Sequence, residues 1–444
     1  MMTSEKSVKR TEDGGTLAKG RGKTCSASGR EDNSAVIGVP SGADAPAIPG
    51  TPVQTASPCV SETSGTPETP EKKLGLYLHI PFCVRKCRYC DFCSFPGMGT
   101  DVMDLYTRRL AEEVIRASRK CRGYIVDTVY FGGGTPTLLP FPLFFRVMET
   151  VYRCFRVEND AEITMECNPA TANGEYLMGI RREGVNRLSI GLQSADDREL
   201  AVLGRIHTFG DFLTTYDAAR RAGFDNISAD LMFGIPEQTR ESFRDTLRRV
   251  TALYPEHLSV YGLILEEGTP FYRMRDTLAL PDEDTESDMY RDAVAFLHER
   301  GYDRYEISNF SRRGRVSRHN YRYWDCREYL GFGVAAHSYF GGERVSHSRD
   351  FDGYLAGRDI TDERVTVTEK DARDEYVMLR MRLADGVDET QYRARFGEDF
   401  RAHYGVRLEP YIREGFVSAD GGRYRFTDSG FYVSNAILSS VLDL

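Results

Sequence analysis

The stretch His79-Ile-Pro-Phe-Cys83-Val-Arg-Lys-Cys87-Arg-Tyr-Cys90 sets three thiols at a C-x3-C-x2-C spacing, directly after a short apolar run over residues 75–80. Thiolate is the soft ligand that suits iron–sulfur clusters and zinc. Three cysteines in one short loop hold three corners of a cubane [4Fe–4S] cluster, and successive backbone N–H groups can point at its sulfides. The fourth iron then stays open to a small molecule, much as catalytic metal sites keep one position free. The rival is a structural zinc site with Cys93 as fourth ligand. Zinc knuckles usually pair two C-x2-C units across a longer loop, and four thiols within eleven residues are cramped for one ion. Simple burial of the thiols does not account for three at this spacing after a strand.

Outward from this loop the chain alternates short apolar runs with amphipathic stretches. Strands are expected over residues 75–80, 125–131, 161–167, 186–191, 226–231, 257–263 and 305–308, with helical patterns between most of them, for example 104–119 and 240–253. Strand–helix alternation with buried strands implies a parallel sheet covered by helices. Six or more such units imply a curved, incomplete (β/α)6-type barrel, hence an α/β fold. After about residue 358 the alternation stops. A helix over 371–383, a hairpin over 416–426 turning at Gly421-Gly422, and a capped helix over 427–442 suggest a small winged-helix-like α+β unit at 359–444. Its 10 Lys/Arg against 13 Asp/Glu from residue 371 onward speak against DNA binding and for packing or substrate covering.

Residues 1–72 hold no Phe, Tyr or Trp and are rich in small and polar residues, so they have too little to bury to order themselves. A disordered tail is expected there, and a start codon placed too far upstream would explain it equally well. The 444-residue chain has 41% hydrophobic and 28% charged residues and a net charge of −9, with no electrostatic footprint for nucleic acid or an anionic membrane. No run of about 18 apolar residues predicts a membrane span. Glu5, Glu12 and Asp13, without an apolar stretch, argue against a secretory or transit peptide, leaving the cytoplasm as the expected compartment. Ten cysteines, four of them between 83 and 93, fit a metal cluster in a large chain better than a disulfide set.

C-x3-C-x2-C with an aromatic before the last Cys resembles the hallmark of the radical S-adenosylmethionine (SAM) superfamily. The similarity extends through Tyr77-Leu-His-Ile-Pro-Phe-Cys, Gly132-Gly-Gly-Thr-Pro-Thr, Glu166-Cys-Asn-Pro, Leu188-Ser-Ile-Gly-Leu-Gln-Ser, Leu203-Gly-Arg-Ile-His and Asp230-Leu-Met-Phe-Gly-Ile-Pro-Glu-Gln-Thr. These follow in the order of one branch, which holds oxygen-independent coproporphyrinogen III oxidase and its heme-chaperone relatives. The resemblance runs from about residue 74 to the C-terminus and implies a radical SAM core over 73–358. It implies cluster ligation by Cys83, Cys87 and Cys90, and SAM contacts at Tyr77, Tyr89, Gly133, Gly134, Thr135, Glu166, Gln193, Arg205 and Asp230. Elementary chemistry agrees. Glycines after a strand let backbone approach a ligand, and carboxylates at strand ends suit the ammonium and sulfonium of SAM. Arg205 can pair its carboxylate. Taken singly, a Gly-Gly-Gly turn is often only a loop, and a strand-end carboxylate is often a helix cap.

Two features place the chain within the branch. Cys90-Asp-Phe-Cys-Ser resembles the heme chaperones' C-D-F-x-S, where the oxidase has a further Cys two positions on. His319-Asn-Tyr-Arg-Tyr-Trp324, which holds the only Trp, matches their H-N-x-x-Y-W. The stretches starting at Tyr305 and Leu330 agree. The resemblance implies a protein that binds heme through His319 and hands it to a heme-acceptor protein, with a low-potential electron donor for its cluster. His337 is a weaker second candidate, and capping of a turn by His319 is the plain alternative. The other function is SAM-dependent oxidative decarboxylation of coproporphyrinogen III; radical SAM chemistry on another substrate is a third.

Overall fold

The structure is a computed structural model that describes residues 71–312 and 314–442; the tail expected over 1–72 lies, up to residue 70, outside them. Six strands build the centre: β1 (Lys72–Ile80), β2 (Tyr124–Gly133), β3 (Arg156–Cys167), β4 (Arg187–Gln193), β5 (Ile227–Phe233) and β6 (His257–Gly262). They pair in parallel in that order. Between them run α1 (Thr100–Ser118), α2 (Phe141–Cys154), α3 (Gly174–Arg182), α4 (Asp197–Leu203), α5 (Phe209–Arg221) and α6 (Arg240–Thr251), and α7 (Glu283–Glu299) follows β6. The strands bury both faces, all seven residues of β4 included, as a sheet between helices and a filled interior requires. Side-chain caps start several helices; Thr208 with Asp211 and Thr239 with Ser242 form reciprocal boxes on α5 and α6.

The strand expected over 305–308 is instead a turn. Short strands β7 (Asp303–Arg304) and β8 (Asn309–Ser311) flank it and pair antiparallel, with β8 against β6. Burial of the Glu306 side chain against Asn309, and donation by Tyr290 Oη to the Ile307 carbonyl, fix that turn. Helix α8 (Arg318–Trp324) comes next. Then β9 (Tyr329–Phe332) adds parallel to the free side of β1, and β10 (His337–Phe340), β11 (Glu343–His347) and β12 (Thr361–Thr366) extend the sheet antiparallel. The result is one open twelve-stranded sheet, a partial barrel rather than a closed one.

Because β12 belongs to this sheet, the core runs beyond the expected 358/359 boundary. The C-terminal unit begins at Thr368, which caps α9 (Glu369–Arg380) in a box with Asp371. It carries a small sheet of β13 (Val387–Asp388), β14 (Val417–Asp420) and β15 (Arg423–Phe426), the last two turning at Gly421 and Gly422 as expected. The single helix expected over 427–442 is two, Asp428–Tyr432 and Ser434–Val441, and the break lets Phe431 and Ile437 both enter a second hydrophobic core.

Candidate functional site

A cavity of about 290 Å³ opens at the C-terminal ends of the central strands, the end at which barrel proteins place their chemistry. Cys83, Cys87 and Cys90 line it, each half-buried with a free thiol. Their loop is seated by the glycine turn after β2. A Cβ on Gly134 would stand 2.6 Å from the Phe82 carbonyl oxygen and 3.1 Å from Cys83 Sγ, so the close approach needs glycine there. Gly133, at φ +117°, lies against the His79 ring. The ring's Nε2 in turn sits 2.9 Å from the Cys93 carbonyl oxygen and ties the far end of the loop to β1. Cys93 is buried and outside the cavity wall. No three His, Cys, Asp or Glu side chains converge on a single-ion site among the described residues. A cubane, which binds each thiolate at a different iron, suits such a spread mount better than zinc does.

Gly133, Gly134, Thr135, Glu166, Gln193, Arg205, Asp230 and Tyr89 share this cavity wall with the thiols. Glu166, at the end of β3, accepts from Tyr130 Oη at 2.9 Å and from the Gly133 N–H at 3.0 Å. Burial, with Asp230 nearby, pushes its pKa up to about 7. Asp230 accepts from Ser189 Oγ at 3.0 Å and is likewise raised by burial. Gln193 sits at φ +72°, beside a register shift against β5, with its buried Oε1 unpartnered. A non-glycine residue held there is stored strain, which concentrates at ligand sites. Arg205 donates from Nη1 to Cys87 Sγ at 3.5 Å and from Nη2 to Asn168 Oδ1 and the Gly191 carbonyl, leaving a buried Nε free. Tyr77 stands one layer behind the wall, stacked on Tyr130 at 6.0 Å with its Oη 3.1 Å from His79 Nδ1.

His319 lies inside the barrel and is not among the residues of the cavity wall. It is 0% exposed. Its Nδ1 lies 2.9 Å from Thr128 Oγ1 and its Nε2 2.8 Å from Tyr323 Oη, so both nitrogens are engaged. The ring stacks on Tyr130 at 5.2 Å, and burial drives its pKa down to about 3. Glu162 accepts the N–H groups of Arg318 and His319 and fixes the start of α8, and Arg322 reaches across Gly75 to a buried ion pair with Asp127. Arg380 of α9 bonds Tyr321 Oη and Asp325 from outside. Helix α8 is thus a plug in the N-terminal half of the barrel, and Tyr323 packs against Tyr329 rather than lying open for a porphyrin. Of the H-N-x-x-Y-W motif, Asn320 is the residue that lines the cavity.

Tyr130, Arg187, Ser259 and Tyr261 stand in the cavity wall outside the motifs, and Asn168, Ser189 and Asn320 stand in it as motif residues to which the sequence assigned no role. One signal was available. Arg187, Ser189, Gly191 and Gln193 recur at period two in an otherwise apolar strand, which marks an inward polar face.

A model of the radical SAM superfamily matches residues 77–250, and one of the HemN C-terminal domain matches 367–433. The heme chaperone HemW of Bacillus subtilis is 33% identical over 374 residues, covering 82% of this chain and 98% of that protein. The mitochondrial radical S-adenosyl methionine domain-containing protein 1 of Bos taurus is 39% identical over 289 residues, 63% of this chain and 64% of that one. The solved coproporphyrinogen III oxidase HemN of Escherichia coli, a radical SAM enzyme, superposes with a TM-score of 0.75 at 25% identity, covering 85% of this chain and 92% of that one. With its three-cysteine loop, its open barrel of parallel central strands and a match along 98% of the Bacillus subtilis protein, this chain belongs to the HemW family of the radical SAM superfamily.

Proposed function

We propose that this chain is a heme chaperone of the cytoplasm, which binds heme and passes it to an acceptor protein. The observation that carries this is the match to HemW proteins over 98% of their length. Cys83, Cys87 and Cys90 would hold a [4Fe–4S] cluster supplied with electrons by a low-potential donor. SAM would lie against Gly133 to Thr135, Glu166, Gln193, Arg205 and Asp230, with Tyr89 beside its adenine and Tyr77 backing the wall. Cluster and SAM, when bound, supply one-electron chemistry; the chain's part is to orient them and keep water out. Among the described residues no helix is long and apolar enough to cross a membrane. Nucleic acid is not among the proposed partners. The likeness to HemN supports a second function, SAM-dependent oxidative decarboxylation of coproporphyrinogen III. Anaerobic heme titration of the cluster-loaded protein beside a coproporphyrinogen turnover assay separates the two. The chaperone should give a saturable Soret change and no turnover; turnover without heme binding would make it the oxidase.

Glu166→Gln and Asp230→Asn should each weaken SAM binding by roughly 1.5–3 kcal/mol, the worth of a charge-assisted hydrogen bond, while sparing cluster iron. With the Glu166 pKa near 7, the cationic groups of SAM bind its carboxylate form and must displace a proton at lower pH. SAM affinity should therefore fall as pH drops below about 7, by up to about tenfold per unit, and Glu166→Gln should flatten that slope. Calorimetry between about pH 6 and pH 8 measures both; unchanged affinity in the two variants would remove these residues from the SAM site.

A further inference from the structure

Arg187 opens strand β4 and is 1% exposed, the largest fully buried side chain among the described residues. It lines the cavity, yet among the described residues its Nε and Nη1 have no hydrogen-bond partner and no carboxylate forms an ion pair with it. A buried, unpaired guanidinium is costly, because its lost hydration is not replaced. Asp230 feels its charge without contacting it and is itself held by Ser189 and Ser228. Opposite Arg187 in register is Thr164, whose buried hydroxyl also lacks a partner. Thr164 lies two residues along β3 from Glu162, which holds the start of α8, so Arg187 sits on the α8 side of the cavity, where Asn320 forms part of the wall. The Asn320 backbone N–H is held by Ser317 Oγ, while its carboxamide forms no hydrogen bond among the described residues.

We propose that Arg187 and Asn320 form a carboxylate-binding subsite at the floor of the cavity. The carboxylate could come from SAM itself or from a second ligand. The second source is favoured, because Arg205 already offers a free Nε at the other end of the same strand, beside Gly191. Arg187 and Gly191 are four residues apart, about 13 Å of strand. A cavity of about 290 Å³ is at the low end of small-molecule sites, roughly 300–1,000 Å³, and suits a carboxylate-bearing arm rather than a whole macrocycle beside SAM. On the chaperone reading, on which this last step rests, that arm is a propionate of heme. Asn320 would then be the residue of the H-N-x-x-Y-W motif that meets the ligand.

The test uses cluster-reconstituted, SAM-loaded protein and two probes. ¹³C-labelled propionate, followed by NMR line broadening, reports the subsite without heme. Heme against heme dimethyl ester, whose propionates are blocked, reports the arm. Wild type should bind propionate saturably and heme at least tenfold tighter than the diester. Arg187→Met and Asn320→Asp should abolish propionate binding and bring the heme-to-diester ratio to one. Asn320, half-buried, tolerates its near-isosteric change even if Arg187→Met does not fold. Propionate binding lost in the variants, with no heme bound by wild type, would support the subsite and overturn the heme reading alone. Absence of propionate binding by wild type, with SAM affinity unchanged in both variants, would overturn the subsite; a loss of SAM affinity in both variants with heme and diester bound alike would give it to the SAM carboxylate and overturn the second ligand.

Discussion

Replacing any one of Cys83, Cys87 and Cys90 by Ala should take anaerobically reconstituted protein from about four irons per chain to nearly none. The three thiols stand half-buried in one cavity wall, on a loop whose backbone is fixed at both ends. The Gly97 N–H donates to the Cys83 carbonyl, the Arg88 N–H to the Leu203 carbonyl, and the Cys93 carbonyl meets the His79 ring. A chelate on such a mount draws its strength from three ligands already in place. With one removed, a second iron is left without protein ligation, and nothing on the rigid loop can move in to replace it. Cys93 is the informative control. It is buried, lies outside the cavity wall, and burial raises the pKa of its thiol. Cys93→Ala should keep its full cluster by iron and sulfide analysis; a Cys93 variant without cluster would mean that four thiols, not three, make the site.

The parts of this fold legible in the sequence are those that local chemistry dictates. Short apolar runs alternating with amphipathic stretches placed the six parallel strands to within about five residues, and the thiol spacing located the cavity mouth. Less legible were features set by contacts far apart in sequence. The stretch around Glu306 has strand-like residues, but its buried carboxylate is satisfied only by a turn against Asn309. Strand β12 reads as a polar surface stretch, with all six residues exposed, and owes its place to pairing with β11. The H-N-x-x-Y-W motif is the sharpest case. Nothing local distinguishes a histidine that faces a ligand from one that faces a barrel wall, and the partners that decide it, Thr128 and Tyr130, lie almost two hundred residues earlier.

His319→Ala should therefore act first on stability. Removing the ring strands Thr128 Oγ1 and Tyr323 Oη without partners and leaves a void beside Tyr77 and Tyr130. Lost packing and two orphaned hydroxyls together cost roughly 3–5 kcal/mol. The effect should spread, because Tyr130 carries the hydrogen bond to Glu166, so SAM affinity should fall along with melting temperature. Heme binding, assayed at a temperature where the variant is still folded, should keep the Soret position of wild type. An iron ligand would behave in the opposite way: its loss would shift the Soret band while thermal stability and SAM affinity stayed level. For that outcome α8 would have to leave the barrel, breaking the buried Arg322–Asp127 pair and the two backbone bonds to Glu162. Arg322→Met supplies the check, since loosening the plug should strengthen heme binding through His319 if opening is required, and should leave it unchanged if His319 stays inside.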